Sequence, residues 1–430
     1  MGLLNWFFSL LFGSPRRAAS PPTAMSQTSG ARSSAQTHGR VRLKKDRPRQ
    51  WSNRFRSTRV VVPKKPYPFA RKSITGRGYL DMSTDGDDQA LIAAGLPVFH
   101  HPQELADWLR LPLKELAWLT NHFRHGRPID PQRAHYHFRW IEKRRGGWRL
   151  IESPKRLLKA LQSRILDEIL SRIATHSAVH GFVLGRSILT NAEPHVGQCV
   201  VVKLDLESFY PSIRLARIAR LFRGLGYSRE AAIWLGRLVT SRLPLNQPFP
   251  TGKSGTSSLT LWPYFPAHLP QGAPTSPALS NLVLSRLDAR LAGLARKFGA
   301  TYTRYADDLT FSGPERFAAS LAVFIPLAKQ IIRREGLRVN RGKTRVLRQA
   351  GRQIVTGVVV NERPNIDRRA YDTLKAILTN CHRHGPTSQN RDNHPQFALH
   401  LRGRIGHVSL LNPARGAKLL AIFEQIDWER

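Results

Sequence analysis

Acidic residues are what this chain most lacks. Against 68 lysines and arginines stand 29 aspartates and glutamates, giving a formal net charge of +39. A surplus of that size excludes a charge-balanced surface and points to a polyanionic partner, most simply nucleic acid. Cysteine is nearly absent, and Cys199 and Cys381 lie far apart in sequence. They make neither a disulfide framework nor a zinc-ligand pattern, so a reducing cytoplasm fits. Long apolar runs are missing too. No stretch nears the roughly 20 apolar residues of a membrane span, so no membrane partner is expected. The segment from Met1 to Phe12 is apolar but short. It has no basic leading region and no small-residue cleavage site, so a secretory signal is not expected.

What is present begins with cations. Residues 14 to about 80 are rich in Ser, Pro, Arg and Lys, and Asp46 is their only acid. Such a segment buries too little apolar surface to fold alone, so residues 1–85 are expected to form a mostly disordered basic arm. Within it Arg47, Arg49, Trp51, Arg54, Phe55, Arg56 and Arg59 interleave aromatics with cations. That mixture suits phosphate neutralisation and base stacking, and it also suits a solubilising tail. Residues 86–130 follow as a helical subdomain. Leu105, Trp108 and Leu109 fit one short helix; Leu113, Leu116, Leu119 and Phe123 fit a second, opened by Pro112. The apolar positions are too many for a recognition face, which favours packing over DNA reading.

From Tyr136 to Ile151 the pattern alternates as strands do, around a turn at Arg145-Gly146-Gly147. Lys143, Arg144, Arg145, Arg149 and Lys155 crowd this hairpin with charge, for a triphosphate or simply for solvent. An amphipathic helix runs from Leu157 to Ile173. Val200-Val201-Val202-Lys203-Leu204-Asp205-Leu206 is an apolar strand ending in one acid, and a buried acid needs a partner or a metal. Arg214 to Arg242 reads as one helix, followed by a long loop. Its Gly252-Lys253-Ser254 is not a phosphate loop, because Gln247 stands where the first glycine belongs and no apolar strand leads in.

The turn Leu269–Pro277 opens a helix, and backbone there can approach a ligand closely. Thr303 to Phe311 then reads as strand, tight turn and returning strand, with Asp307 and Asp308 at the turn. Taken alone, that pair either binds a divalent cation or is a solvated turn. A helix over Phe317–Glu335 and a strand over Gln353–Val360 complete the pattern. The order approximates a split βαβ sheet with helices on one face, where Asp205 can face Asp307 and Asp308. Three carboxylates around two Mg²⁺ ions are the apparatus of in-line nucleotidyl transfer.

These segments together resemble reverse transcriptases over about residues 100–430. Tyr305-Ala306-Asp307-Asp308 is similar to the family's palm signature. Leu204 to Ile213 resembles the strand with the first metal-binding Asp, and Leu269 to Pro277 the nucleotide-pocket turn. Asn191-Ala192-Glu193-Pro194-His195 and Val355-Thr356-Gly357 match elements of the bacterial retron branch. His195 alone also fits a satisfied structural histidine.

The resemblance implies an α+β right-hand RNA-directed DNA polymerase. Its fingers would span 131–200 and its ferredoxin-like palm 201–362, with a fingers insertion at about 225–275. A helical thumb would span 363–430. Asp205, Asp307 and Asp308 would hold two Mg²⁺, with Lys343 as a general acid. Arg149, Lys155, Tyr210 and Gln271 would contact the dNTP, Tyr210 as the gate against a ribose 2′-OH. Asn191, His195, Val355, Thr356 and Gly357 would contact RNA. A cognate structured non-coding RNA would be template, an internal guanosine 2′-OH primer, and branched RNA–DNA product. An anti-phage effector protein is a further implied partner. Another bacterial reverse transcriptase class and a non-catalytic RNA-binding scaffold are the alternatives; three filled Asp positions weigh against the scaffold.

Overall fold

The computed structural model describes residues 60–120, 134–143, 147–244, 247, 249 and 261–429. The aromatic and basic stretch from Arg47 to Arg59, the hairpin turn residues 144–146 and the rejected loop at 252–254 lie outside the described residues.

The chain's centre is a four-stranded antiparallel sheet. Its strands are β6 (Val200–Asp205), β7 (Thr301–Tyr305), β8 (Asp308–Gly313) and β9 (Arg345–Arg348), in the order β7-β8-β6-β9. Counted in chain order, that is second, third, first, fourth, the split βαβ arrangement expected from the sequence. Side chains alternate between faces along each strand. Val200, Val202, Leu204, Tyr302, Leu309 and Phe311 enter the main core, where Phe324 meets Phe311 edge-on at 5.0 Å. The opposite face carries Val201, Lys203 and Asp205, paired with Ser312, Thr310 and Asp308. One face therefore supplies stability and the other polar chemistry.

Before this sheet come β1 (Val60–Val62), β2 (Arg71–Lys72) and β3 (Tyr79–Asp81), then α1 (Asp88–Ala93), α2 (Pro102–Leu109) and α3 (Leu113–Leu119). The basic hairpin is β4 (Tyr136–Glu142) and β5 (Trp148–Pro154), continued by α4 (Arg156–Glu168) and α5 (Ile188–Ala192). Between β6 and β7 run α6 (Phe209–Ser212), α7 (Leu215–Leu225), α8 (Arg229–Leu238), α9 (Ser276–Val283) and α10 (Ser285–Lys297). Between β8 and β9 run α11 (Glu315–Ala319) and α12 (Leu321–Arg334). The small hairpin of β10 (Ile354–Val355) and β11 (Val358–Val359) follows, then α13 (Arg368–His384), α14 (Phe397–Leu411) and α15 (Pro413–Phe423). These last three helices have their own core of Leu374, Leu378, Cys381, Leu401, Ile405, Val408 and Leu419. No helix among the described residues is long and apolar enough to cross a membrane.

Four expectations are corrected. The arm is not structureless through residue 85. β1, β3 and β2 form a sheet, and Tyr67 is buried with its hydroxyl accepting from the Met82 amide at 3.1 Å. Met82 in turn accepts from the Glu230 amide at 3.0 Å, and Arg223 pairs with Asp85 at 2.8 Å. A few apolar residues suffice because α7 and α8 supply the surface they bury. The expected helix over 214–242 breaks between α7 and α8. Gly226 ends α7 with φ 118°, and a Cβ there would sit 2.7 Å from the Asp87 carbonyl. Ser228 then caps α8 through the Ala231 amide. The helix expected over 317–335 breaks at Ser320 into α11 and α12. The expected strand over 353–360 is a hairpin turning at Thr356 and Gly357, with φ 47° and 88°.

Candidate active site

The three aspartates meet because of register. β6 pairs with β8 so that Asp205 lies opposite Asp308, and Asp307 sits in the two-residue connection from Tyr305. The Leu206 amide donates to the Asp307 carbonyl at 3.0 Å, tying that turn to the end of β6. Ala306, its first residue, has φ 54°. After Asp205 the chain turns through Ser208, φ 44°, into α6, which brings Tyr210 close to Asp307.

Two lysines hold the outer carboxylates. Lys343 Nζ donates to both oxygens of Asp205 at 3.1 Å, and Lys203 Nζ lies 2.7 Å from Asp308. Burial, and then the charge of Asp205, push the Asp307 carboxyl above its usual range. Burial also raises Asp308, against the pull of Lys203. Among the described residues no three His, Cys, Asp or Glu side chains stand in ready metal-ligand geometry. Three half-buried carboxylates against two lysines leave hard oxygen donors with an excess of negative charge, a donor set that suits a divalent cation of the Mg²⁺ kind.

Tyr210, Arg149, Lys155 and Gln271 are the residues expected to contact the nucleotide. Tyr210 packs on Phe209 at 5.1 Å between ring centroids, and burial with the nearby Asp307 pushes its phenol up to about 12. Arg149 is exposed on β5, opposite Ile141. Lys143 shares this region: burial lowers its pKa, as do the charges of Arg149 and Lys343, and Asp205 opposes them. Lys155 is not beside Arg149. It follows the other end of β5, roughly 20 Å away at the usual strand rise, with its amide on the His135 carbonyl. Of the two lysines, Lys143 is the one near Arg149, Lys343 and Asp205.

The Gln271 turn is fastened to that hairpin. The Glu152 amide donates to the Gln271 carbonyl at 2.8 Å, and a Cβ on Gly272, φ 135°, would lie 3.0 Å from the Glu152 carbonyl. Behind it His268 Nε2 meets Glu152 Oε2 at 2.9 Å, both side chains with 0% exposure. His268 Nδ1 donates to the Pro266 carbonyl at 2.8 Å. Neither residue was singled out from sequence, where a lone His and a lone Glu far apart carry no signal.

The residues expected to touch RNA divide by burial. Asn191, His195 and Val355 are each 0% exposed, so direct RNA contact by them is corrected. His195 is wedged on the sheet's polar face, Nδ1 at 2.6 Å from Ser312 Oγ and Nε2 at 2.7 Å from Thr303 Oγ1. Burial first, then the charges of His180 and Lys203, lower its pKa to about 3, so it is neutral. Asn191 Nδ2 donates to Thr356 Oγ1 at 3.4 Å, and Thr356 Oγ1 donates to the Ile188 carbonyl at 3.2 Å. The two short motifs are thus one structural joint. Gly357, at the hairpin tip, is exposed, and Thr356 is partly so.

Comparison with known proteins identifies the family. A family model described as reverse transcriptase (RNA-dependent DNA polymerase) matches residues 141–374. The retron Mx65 reverse transcriptase of Myxococcus xanthus is 42% identical over 333 residues, covering 77% of this chain and 73% of that protein. The retron Mx162 reverse transcriptase of the same organism is 38% identical, covering 78% and 69%. The retron Ec86 reverse transcriptase of Escherichia coli is 33% identical, covering 66% and 79%. With the acidic hairpin, β5 and the Gln271 turn inside the matched region, the chain belongs to the reverse transcriptase family, in its retron branch.

Proposed function

We propose that this reverse transcriptase copies a cognate structured non-coding RNA into DNA. Synthesis starts on an internal guanosine 2′-OH of that RNA and leaves a branched, RNA-linked single-stranded DNA. The observation that carries the chemistry is the register of Asp205 against Asp308, with Asp307 in the turn beside them. In this reading residues 131–200 are fingers and 201–362 palm, with a fingers insertion at about 225–275. Residues 363–430 are thumb, 86–130 an N-terminal helical subdomain, and the basic N-terminal segment adds affinity for phosphates.

Asp205, Asp307 and Asp308 would hold two Mg²⁺ ions, which lower the pKa of an attacking hydroxyl and stabilise departing pyrophosphate. Lys343, which donates to Asp205, would give that pyrophosphate a proton. Arg149 and Lys143 neutralise the triphosphate. An anion bound there would oppose the lowering of the Lys143 pKa by burial and neighbouring cations. Gln271, on a turn fixed to β5, lines the pocket. Tyr210 stays a neutral phenol beside Asp307, where its ring excludes a ribose 2′-OH. The Thr356-Gly357 turn and α13 grip the RNA, with Asn191, His195 and Val355 supporting the turn from beneath. The ribonucleoprotein would restrain an effector protein in cytoplasmic anti-phage defence.

The test is Asp307→Asn and Asp308→Asn in protein co-expressed with the DNA flanking its gene. DNA synthesis should fall by about a thousandfold or more, with RNA affinity within about threefold. The parent should yield a short DNA of discrete length that shifts on RNase treatment. Retained synthesis in either variant refutes the metal assignment, and a parent that extends only ordinary primers refutes the branched product.

A further inference from the structure

The turn that carries Asp307 is held in a backbone conformation that alanine does not choose for itself. Ala306 has φ 54°, in the left-handed region that disfavours residues with a Cβ. The group that reaches it is Arg304, on the helix-facing side of β7, with 0% exposure. Its Nε and Nη2 donate to the two oxygens of Asp288 on α10, each at 2.7 Å. Its Nη1 donates to Asn281 Oδ1 on α9 at 3.1 Å and to the Ala306 carbonyl at 3.2 Å.

Asn281 extends the hub outward. Its Nδ2 donates to the Gly181 carbonyl at 2.8 Å, and a Cβ on Gly181 would sit 2.8 Å from the Ala306 amide nitrogen. The backbone of Arg304 closes the circle, its amide on the Ala178 carbonyl at 2.7 Å and its carbonyl taking the His180 amide at 2.8 Å. The guanidinium thus joins α10, α9, which begins at the Gln271 turn, and the aspartate turn, while the Arg304 backbone and Asn281 tie in the 178–181 segment.

A buried ion pair is a poor stability device, since apolar residues of similar volume often serve as well. What a guanidinium supplies that they cannot is a planar fork with fixed directions. We propose that Arg304 is a positioning residue for DNA synthesis, imposing the left-handed Ala306 turn and so fixing Asp307 relative to the nucleotide-pocket turn. This rests on Asp307 belonging to the reacting site. Asp288 and Asn281 act through Arg304 by orienting it.

The experiment compares Arg304→Lys with the double variant Arg304→Lys/Ala306→Gly, both bound to the cognate RNA. A lysine keeps the charge beside Asp288 but cannot span all four acceptors. Primer-extension kcat should fall about tenfold or more in R304K, with dNTP KM and RNA affinity within about threefold. Glycine takes a positive φ without help, so A306G in that background should recover at least about threefold of the lost rate. Hydrogen exchange without Mg²⁺ or dNTP should quicken in the amides of residues 305–309 of R304K, and not in 345–348. Equal loss with and without A306G, or an unchanged exchange pattern, overturns the proposal. Asp288→Asn, which frees the same fork at nearly constant volume, carries the identical comparison if R304K does not fold. Failure of the wider reading is distinguishable, because D307N would then keep its activity whatever R304K does.

Discussion

His195 should make the folded protein acid-sensitive without touching RNA. Its ring is fully buried and both nitrogens are engaged by hydroxyls, Ser312 at 2.6 Å and Thr303 at 2.7 Å. Neutral imidazole satisfies this pair, one nitrogen donating and the other accepting. Protonation would leave a buried cation with Lys203 and His180 nearby, which is why its pKa drops from 6.5 to about 3. The folded value lies below the unfolded one, so between them the unfolded chain binds more protons. The stabilisation is therefore complete above pH 6.5 and is lost as pH falls toward 3. At about 1.4 kcal/mol per unit, lowering pH from 7 to 4.5 removes on the order of 2–3 kcal/mol. Urea denaturation across that range is the assay, comparing the parent with His195→Gln and His195→Ala. H195Q keeps a donor and an acceptor but cannot titrate, so its pH slope should be shallower than the parent's by that amount. H195A should cost about 2–4 kcal/mol at pH 7, from the cavity and two stranded hydroxyls. The contribution of His180, lowered to about 4, is common to all three chains and cancels. Parallel pH curves for parent and H195Q would refute the reasoning. So would a tenfold loss of RNA affinity in H195Q at unchanged stability, since that would make His195 a reader of RNA.

Two further outcomes follow from close approaches and charge. Gly181→Ala places a Cβ 2.8 Å from the Ala306 amide nitrogen, against backbone that cannot yield cheaply. It should cost about 1–3 kcal/mol in chemical denaturation and at least about tenfold in synthesis rate; wild-type rates would show that the turn tolerates displacement. Lys143→Met and Arg149→Met should each raise dNTP KM about tenfold, while Lys155→Met, at the far end of β5, leaves it within about twofold. Steady-state kinetics would reject the assignment if K155M were the most damaging of the three.

Much of the site was legible because it obeys a period of two. Val200 to Asp205 reads as a strand that ends in an acid, and Tyr302 to Phe311 as strands around an acidic turn. The pairing of Asp205 with Asp308 follows once both are in one sheet. What could not be read lies where tertiary contacts override local preference. Thr356 is β-branched inside a run of valines, so the run reads as one strand; its positive φ is tolerated because Asn191 and the Ile188 carbonyl hold its hydroxyl. Arg304 alternates with Tyr302 onto the core face, but nothing local announces that Asp288 will meet it there. The small sheet of β1 to β3 was hidden by the cations around it, since Tyr67 and Met82 bury only against α8 and its neighbours. Lys143 and Lys155 were indistinguishable as cations of one hairpin until the register put them at opposite ends.

The same alternation explains why the aspartate turn needs a hub at all. On β8, Leu309 and Phe311 enter the core while Asp308, Thr310 and Ser312 face the polar side. A one-residue slip of β8 would drive Asp308 toward the aromatic cluster around Phe324 and expel Phe311. Burial of Phe311 against Tyr302, with centroids 4.9 Å apart, fixes the register of β7 against β8. It does not fix the dihedral angles of the two residues that join them. Apolar packing sets which strand residues face the site, but a turn at its edge has too few apolar atoms to be set the same way. Directional hydrogen bonds from a rigid, buried donor are the remaining means, and the Ala306 carbonyl receives one from Arg304. Precision at Asp307 therefore comes from the apolar side of the sheet, through a charge buried where stability alone would have placed a leucine.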